Sequence, residues 1–231
     1  AVNLLLDTSG SMGLNSRIDR LQAALREFAI SISSSGNLIV GIQQFKDPRN
    51  IQYVYSGTIL NGAGVVLPIE PFNKERFITQ VNSLRASGST HMRDGFQLAL
   101  NEISSAQTSS QYSGYEWYLI LLTDGVPNDI SNDDPFLGTI VPDESQNPTA
   151  TPSLTDQLIA KNVKIITIGL ELDDMEREYR IGGSGTILVP SLEDYAKDLL
   201  GNKMRPIRFH QPNSVSELRP LFQSILSDLI C

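Results

Sequence analysis

Short apolar runs punctuate the chain. Val2–Leu6, Leu38–Phe45, Trp117–Leu122 and Val163–Leu170 read as strands buried on both faces, and Ile207–His210 is a weaker fifth. Gln52–Leu60 is more polar and alternates. Following soon after Phe45, it predicts an antiparallel edge strand joined through the Asp47-Pro48-Arg49-Asn50 turn.

Helical periodicity fills the intervals. Arg17–Ser33 places Ile18, Leu21, Leu25, Phe28 and Ile32 on one face. Asn73–Leu84 begins at a capping Asn73 and turns Phe77, Ile78, Val81 and Leu84 inward. His91–Ser104 carries Met92, Phe96, Leu100 and Ile103, while Thr155–Lys161 and Leu192–Leu200 are shorter. Val215–Leu229 closes the series with Leu218, Leu221, Phe222, Ile225, Leu226 and Leu229.

Strands alternating with helices predict an α/β fold. Its central sheet is doubly wound and mostly parallel, with one antiparallel edge strand and helices on both faces in the Rossmann-like manner. Ligands of such sheets sit beyond the C-terminal ends of the strands. Asn128–Ser153, rich in Asp, Asn, Pro and Ser, and Glu171–Ser191, with its Gly182-Gly183-Ser184-Gly185 stretch, break the alternation and read as insertions. The whole of 1–231 is expected to be a single domain.

Composition narrows the function classes. The 231 residues suffice for a full core, and 40% hydrophobic with 19% charged residues is ordinary for a folded soluble protein. A net charge of −8 disfavours nucleic-acid backbone as a partner. No apolar run reaches transmembrane length and no signal peptide is present, so direct membrane insertion is not expected. The chain opens on a core strand, as an excised domain or processed product would. Its only cysteine is Cys231. It is either a free thiol or half of a disulfide whose other half lies outside this sequence, and the latter would imply an oxidising compartment.

The chemistry concentrates at strand ends. Val2–Leu6 runs into Asp7-Thr8-Ser9-Gly10-Ser11, which places one carboxylate and two hydroxyls around a common point. Taken alone, this could be an ordinary strand-to-helix turn with capping side chains. Two further segments answer it. Leu119–Leu122 ends in Thr123-Asp124-Gly125, bringing a second carboxylate to the same edge. The Ala86-Ser87-Gly88-Ser89-Thr90 loop offers the Thr90 hydroxyl. Asp7, Ser9, Ser11, Thr90 and Asp124 are hard oxygen donors, suited to Mg²⁺ and also to Mn²⁺ or Ca²⁺ rather than zinc or copper.

In these motifs the chain resembles the von Willebrand factor type A domain family over essentially its whole length apart from the insertions. Asp7-Thr8-Ser9-Gly10-Ser11 matches that family's metal-ion-dependent adhesion site (MIDAS), with Thr90 and Asp124 at its remaining positions. Phe209–Ile230 resembles the family's last strand and C-terminal helix. The resemblance implies one divalent cation, bridged to a carboxylate supplied by a protein or other extracellular ligand. It also implies recognition rather than enzymatic activity, at a cell surface, in a secreted protein or on a pilus. An intracellular partner subunit of an AAA-type ATPase or metal chelatase is the alternative within the family, and a metal-dependent phosphohydrolase is a remote one.

Other groups read as structural. Asp129–Asp134 lacks the glycine and the acidic twelfth residue of an EF-hand loop, and Glu171, Asp173, Asp174 and Glu176 read as solvated charge. His91 starts a helix, His210 sits in a strand, and Asp94 is either a helix-dipole partner or an acceptor behind the site. Neither histidine falls where it would activate Ser9 or Ser11 as a nucleophile.

Overall fold

The computed structural model describes residues 1–32, 37–47, 49, 51–124, 152–170, 217 and 220–225, together with the backbone of 140–141, 149–150, 177–181, 185–189 and 207–210. The elements run β1 (Val2–Asp7), α1 (Arg17–Ser31), β2 (Ile39–Phe45), β3 (Gln52–Tyr55), β4 (Thr58–Asn61), β5 (Ala63–Pro71), α2 (Lys74–Ser83), α3 (Met92–Gln107), β6 (Trp117–Thr123), β7 (Ile140–Val141), β8 (Thr149–Ala150), α4 (Leu154–Ala160), β9 (Val163–Gly169), β10 (Arg177–Ile181), β11 (Gly185–Val189) and β12 (Ile207–His210). Residues 220–225 are helical.

Six strands form the main sheet in the order β12-β9-β6-β1-β2-β5. All neighbours are parallel except β5, which runs antiparallel to β2 at the edge. From β1 the chain builds outward through β2 and β5 on one side, then returns to build β6, β9 and β12 on the other. The order therefore reverses beside β1, and the C-terminal ends of β1 and β6 flank the crevice where such sheets take ligands.

Every residue of β1 and β6 is buried, because helices cover both faces. Leu4 and Leu6 of β1 and Ile120 and Leu122 of β6 pack with Leu21, Leu25 and Phe28 of α1, Phe77 and Val81 of α2, and Phe222. Leu5, Leu119 and Leu121 face the other way, onto Met92, Phe96 and Ile103 of α3 and Leu158 of α4. For α1, α2 and α3 the helix faces expected from periodicity are those that pack, and Phe222 and Ile225 of the last expected helix join the same core. Asn73 caps α2 by accepting from the Arg76 N–H at 3.0 Å, and Ser153 opens α4 in a capping box with Asp156.

One element differs from expectation. Gln52–Leu60 is not the antiparallel edge strand. It divides into the β3–β4 hairpin, because Ser56 (φ 46°) and Gly57 (φ 84°) form a two-residue turn with left-handed backbone. The true edge strand is β5, where Pro68 falls within a register shift against β2. Proline cannot donate to a ladder, and edge bulges are where sheets tolerate it. Within the two insertions, β7–β8 and β10–β11 form two-stranded antiparallel ribbons apart from the main sheet. The expected helix at Leu192–Leu200, most of Val215–Leu229, Asp129–Asp134, the Glu171–Glu176 cluster and Cys231 lie outside the described residues. No helix among the described residues is long and apolar enough to cross a membrane.

Gly95 lets α3 approach the sheet at the end that bears the strand-edge carboxylates. A Cβ there would lie 2.9 Å from Phe45 and 3.2 Å from Leu5. Gly95→Val is therefore expected to lower unfolding free energy in urea by about 2–3 kcal/mol through overpacking. Unchanged stability would contradict so close a contact.

Candidate metal centre

The pairing of Leu6 with Leu122 sets the ends of β1 and β6 side by side, so Asp7 and Asp124 leave the sheet as neighbours. Asp7 is completely buried. Its Oδ1 accepts the Ser9 backbone N–H at 2.8 Å and its Oδ2 accepts the Thr123 hydroxyl at 2.7 Å. The Ser11 hydroxyl donates to Asp124 Oδ1 at 2.7 Å, and the Ser9 and Ser11 hydroxyls stand 3.1 Å apart. Arg17 completes the cluster by donating from Nη1 to Asp124 Oδ2 at 2.9 Å.

Two neighbouring loops hold this one in place. Thr8 donates its backbone N–H to the Phe45 carbonyl at 3.0 Å and its hydroxyl to Gln44 Oε1 at 3.1 Å. Gly10 N–H donates to the Gly88 carbonyl at 2.7 Å, and Ser87 N–H to the Thr8 carbonyl at 2.9 Å. The 86–90 loop is thus stitched to the Asp7 loop by backbone hydrogen bonds. It carries Thr90, which is buried just before α3. Among the described residues no side-chain hydrogen bond joins Thr90 to the other four oxygen-bearing residues, so its contribution rests on its loop.

On the far side of that loop, Ser89 donates to Asp47 Oδ2 at 3.1 Å. Asp47 also accepts from Arg49, at 2.9 Å from Nε and 2.7 Å from Nη2. Those bonds hold the Asp47 carboxyl well below the usual carboxylate range.

Asp7 is shifted the other way. Burial first, and the facing Asp124 carboxylate second, raise its carboxyl well above the usual range, against the pull of the bonds from Ser9 and Thr123. A buried acid next to another acid is stabilised as the anion by hydrogen-bond donors and, more strongly, by added positive charge. Among the described residues no group of three or more His, Cys, Asp or Glu side chains is placed to hold a metal ion. The cluster offers two carboxylates, and hydroxyls would have to supply the other protein donors. An all-oxygen set of this kind suits a hard divalent cation.

Sequence reasoning missed Thr123, Arg17 and Asp47. Thr123 was within reach of it, since parallel pairing of the two strand ends places it beside Asp7. The other two depend on contacts distant in sequence.

A family model described as von Willebrand factor type A domain matches residues 2–200. No curated protein is significantly similar in sequence. Among solved structures, the pilus adhesin SpaC from Lactobacillus rhamnosus GG superposes with a TM-score of 0.65 at 19% identity, over 99% of this chain and 30% of the adhesin. Proximal thread matrix protein 1 from the mussel byssus gives 0.60 at 20% identity, over 100% of this chain and 47% of that protein. A further structure of the byssus protein, with a TM-score of 0.58, has a zinc-occupied MIDAS motif. An aerotolerance-related membrane protein from Bacteroides fragilis gives 0.58 at 16% identity, over 98% of both chains. At these identities the likeness is one of fold, and this chain spans less than half the length of the first two proteins.

Thr123→Val should isolate the role of the hydroxyl behind Asp7. Removing one donor from a buried carboxyl is expected to cost about 1–3 kcal/mol in chelator-treated protein, read by chemical denaturation, with Thr123→Ser close to wild type. Equal stability of the valine and serine variants would show that the bond contributes nothing.

Proposed function

The chain belongs to the von Willebrand factor type A domain family, and from that premise we propose that it is a metal-dependent adhesion module. A divalent cation is held by Asp7, Ser9, Ser11, Thr90 and Asp124, directly or through water, and accepts an acidic oxygen from a partner. The observation that carries this reading is the buried Asp7 carboxylate beside Asp124, ringed by the Ser9 and Ser11 hydroxyls at the sheet's switch point.

The donor chemistry favours Mg²⁺, with Mn²⁺ or Ca²⁺ as alternatives. A hydroxyl-rich set leaves the cation with positive charge to offer a ligand. The bound cation would supply an electrophilic position. The protein's part is to fix the donors, through the ties from Thr8 to β2 and from Gly10 to Gly88. The reading is of recognition without bond chemistry: the Ser9 and Ser11 hydroxyls bond to one another and to Asp124, whose other oxygen is held by Arg17, and no imidazole bonds to either hydroxyl among the described residues.

Support for a cell-surface, secreted or pilus-associated setting comes from the fold's likeness to a pilus adhesin and a byssus matrix protein, one with a metal in its MIDAS motif. The partner is then a protein or other extracellular ligand that presents an exposed Asp or Glu side chain or a free carboxylate.

Calorimetric titration of chelator-treated protein with Mg²⁺, Mn²⁺ and Ca²⁺ tests the reading. Saturable binding is expected in wild type and its loss in Asp7→Ala. The double variant Ser9→Ala with Ser11→Ala is expected to abolish cation binding. It should leave circular dichroism intact, although loss of the Ser11 donor to the buried Asp124 side chain is expected to cost about 1–3 kcal/mol of stability. If the double variant bound cation as wild type does, the site assignment would fail.

A further inference from the structure

We infer that Arg17 is a resident counter-cation of this centre, one that stabilises the metal-free state and sets how tightly a divalent cation can bind. The inference rests on the cation reading above and concerns a residue outside the five donors.

Arg17 is the first residue of α1, where the helix dipole favours negative charge and disfavours a guanidinium. Asp19, also in the first turn, already gives that helix end its favourable charge. The approach to Arg17 is also unfavourable locally. Asn15 (φ 51°) and Ser16 (φ 56°) are both left-handed, and the Ser16 side chain makes no capping bond. Consecutive non-glycine residues in that region store strain. Asn15 tolerates that region, but Ser16 and Arg17 both go against local preference, and the result is a guanidinium 2.9 Å from Asp124 Oδ2.

Exposure shows what the contact does. The Asp124 side chain is 1% exposed and that of Arg17 is 15% exposed, so the pair is little screened by solvent. Asp124 Oδ1 is meanwhile bonded to Ser11, so both of its oxygens are engaged. Arg17 places a positive charge directly against the buried Asp124 side chain, beside Asp7. With a divalent cation among the same oxygens, that guanidinium becomes a like charge in the same small volume and opposes binding. Arg17 thus acts as a positioning and tuning residue through Asp124, and no ligand role is assigned to it.

The test compares wild type, Arg17→Gln, Arg17→Lys and Asp7→Ala. Each is stripped with chelator, titrated calorimetrically with Mn²⁺ and Mg²⁺, and melted with and without the ion. Arg17→Gln is expected to bind roughly three- to tenfold more tightly than wild type, the scale of one partly screened charge. It should melt at a lower temperature when stripped and gain more from the ion, while Arg17→Lys, which keeps the charge, stays near wild type. Equal or weaker binding by Arg17→Gln would overturn the inference with wild-type binding intact, as would an equal loss of melting temperature with and without ion. Absence of binding in wild type would remove the cation reading and this inference together. A glutamine variant that folds only with the ion supports the inference. One that folds in neither condition makes Arg17 a structural brace and overturns it.

Discussion

A carboxylate with no solvent at the end of the central strand is the constraint on which the rest of this structure depends. Burying an ionised acid costs several kcal/mol even after relaxation, and a second acid alongside raises the cost. Asp7 faces that cost, with Asp124 as its neighbour, and its carboxyl accordingly holds its proton to higher pH than usual. The fold meets the cost with short, fixed contacts: the Ser9 N–H, the Thr123 hydroxyl and the guanidinium of Arg17 on Asp124. None of these groups comes from a long mobile loop. They arise within a few residues of a strand end or at the first turn of a helix, where the backbone is already fixed.

The same constraint explains the bracing around the loops. A site that holds several oxygens at one point needs them fixed to within a fraction of an ångström. The Asp7 loop is bonded to the end of β2 through Thr8 and to the 86–90 loop through Gly10 and Ser87. That second loop is held from its other side by Asp47, which Arg49 clamps in turn. The close seat of α3, made possible by Gly95, brings the helix that follows Thr90 against Phe45. Packing and hydrogen bonding therefore converge on one edge of the sheet, which gives a physical reason for that edge to be the functional one.

Much of this was legible in the sequence, and the exceptions have physical causes. Strands covered on both faces appear as unbroken apolar runs, so β1, β2, β6 and β9 were found to within a residue or so at their ends. The carboxylates were legible because each ends such a run at a glycine-bearing turn. The edge strand was not. Its glycine, its prolines and its register shifts erase the strand signal, whereas the polar alternation of β3 and β4 imitated one and concealed the Ser56-Gly57 turn inside it. Arg17 and Asp124 are 107 residues apart, and no local pattern announces a contact of that span. Thr90 was legible as a loop hydroxyl, but its tie to the Asp7 loop runs through the backbone of Gly88 and Ser87, which carries no side-chain signature.

Charge balance then favours a particular kind of partner. Taken formally, two carboxylates and the Arg17 guanidinium give this cluster one negative charge once Asp7 has given up its proton, which its burial resists. On the proposed reading, a divalent cation reverses that sign and leaves one uncompensated positive charge at the edge of a low-dielectric core. Such a charge is costly until a counter-ion arrives. An incoming carboxylate restores neutrality, whereas a neutral hydroxyl or amide does not. On that reading, preference for an acidic ligand would be a property of the whole charge set, Arg17 included, rather than of the five proposed oxygen donors alone. A homologous centre without a cation at the position of Arg17 would lack that excess charge and should discriminate less sharply between acidic and neutral ligands.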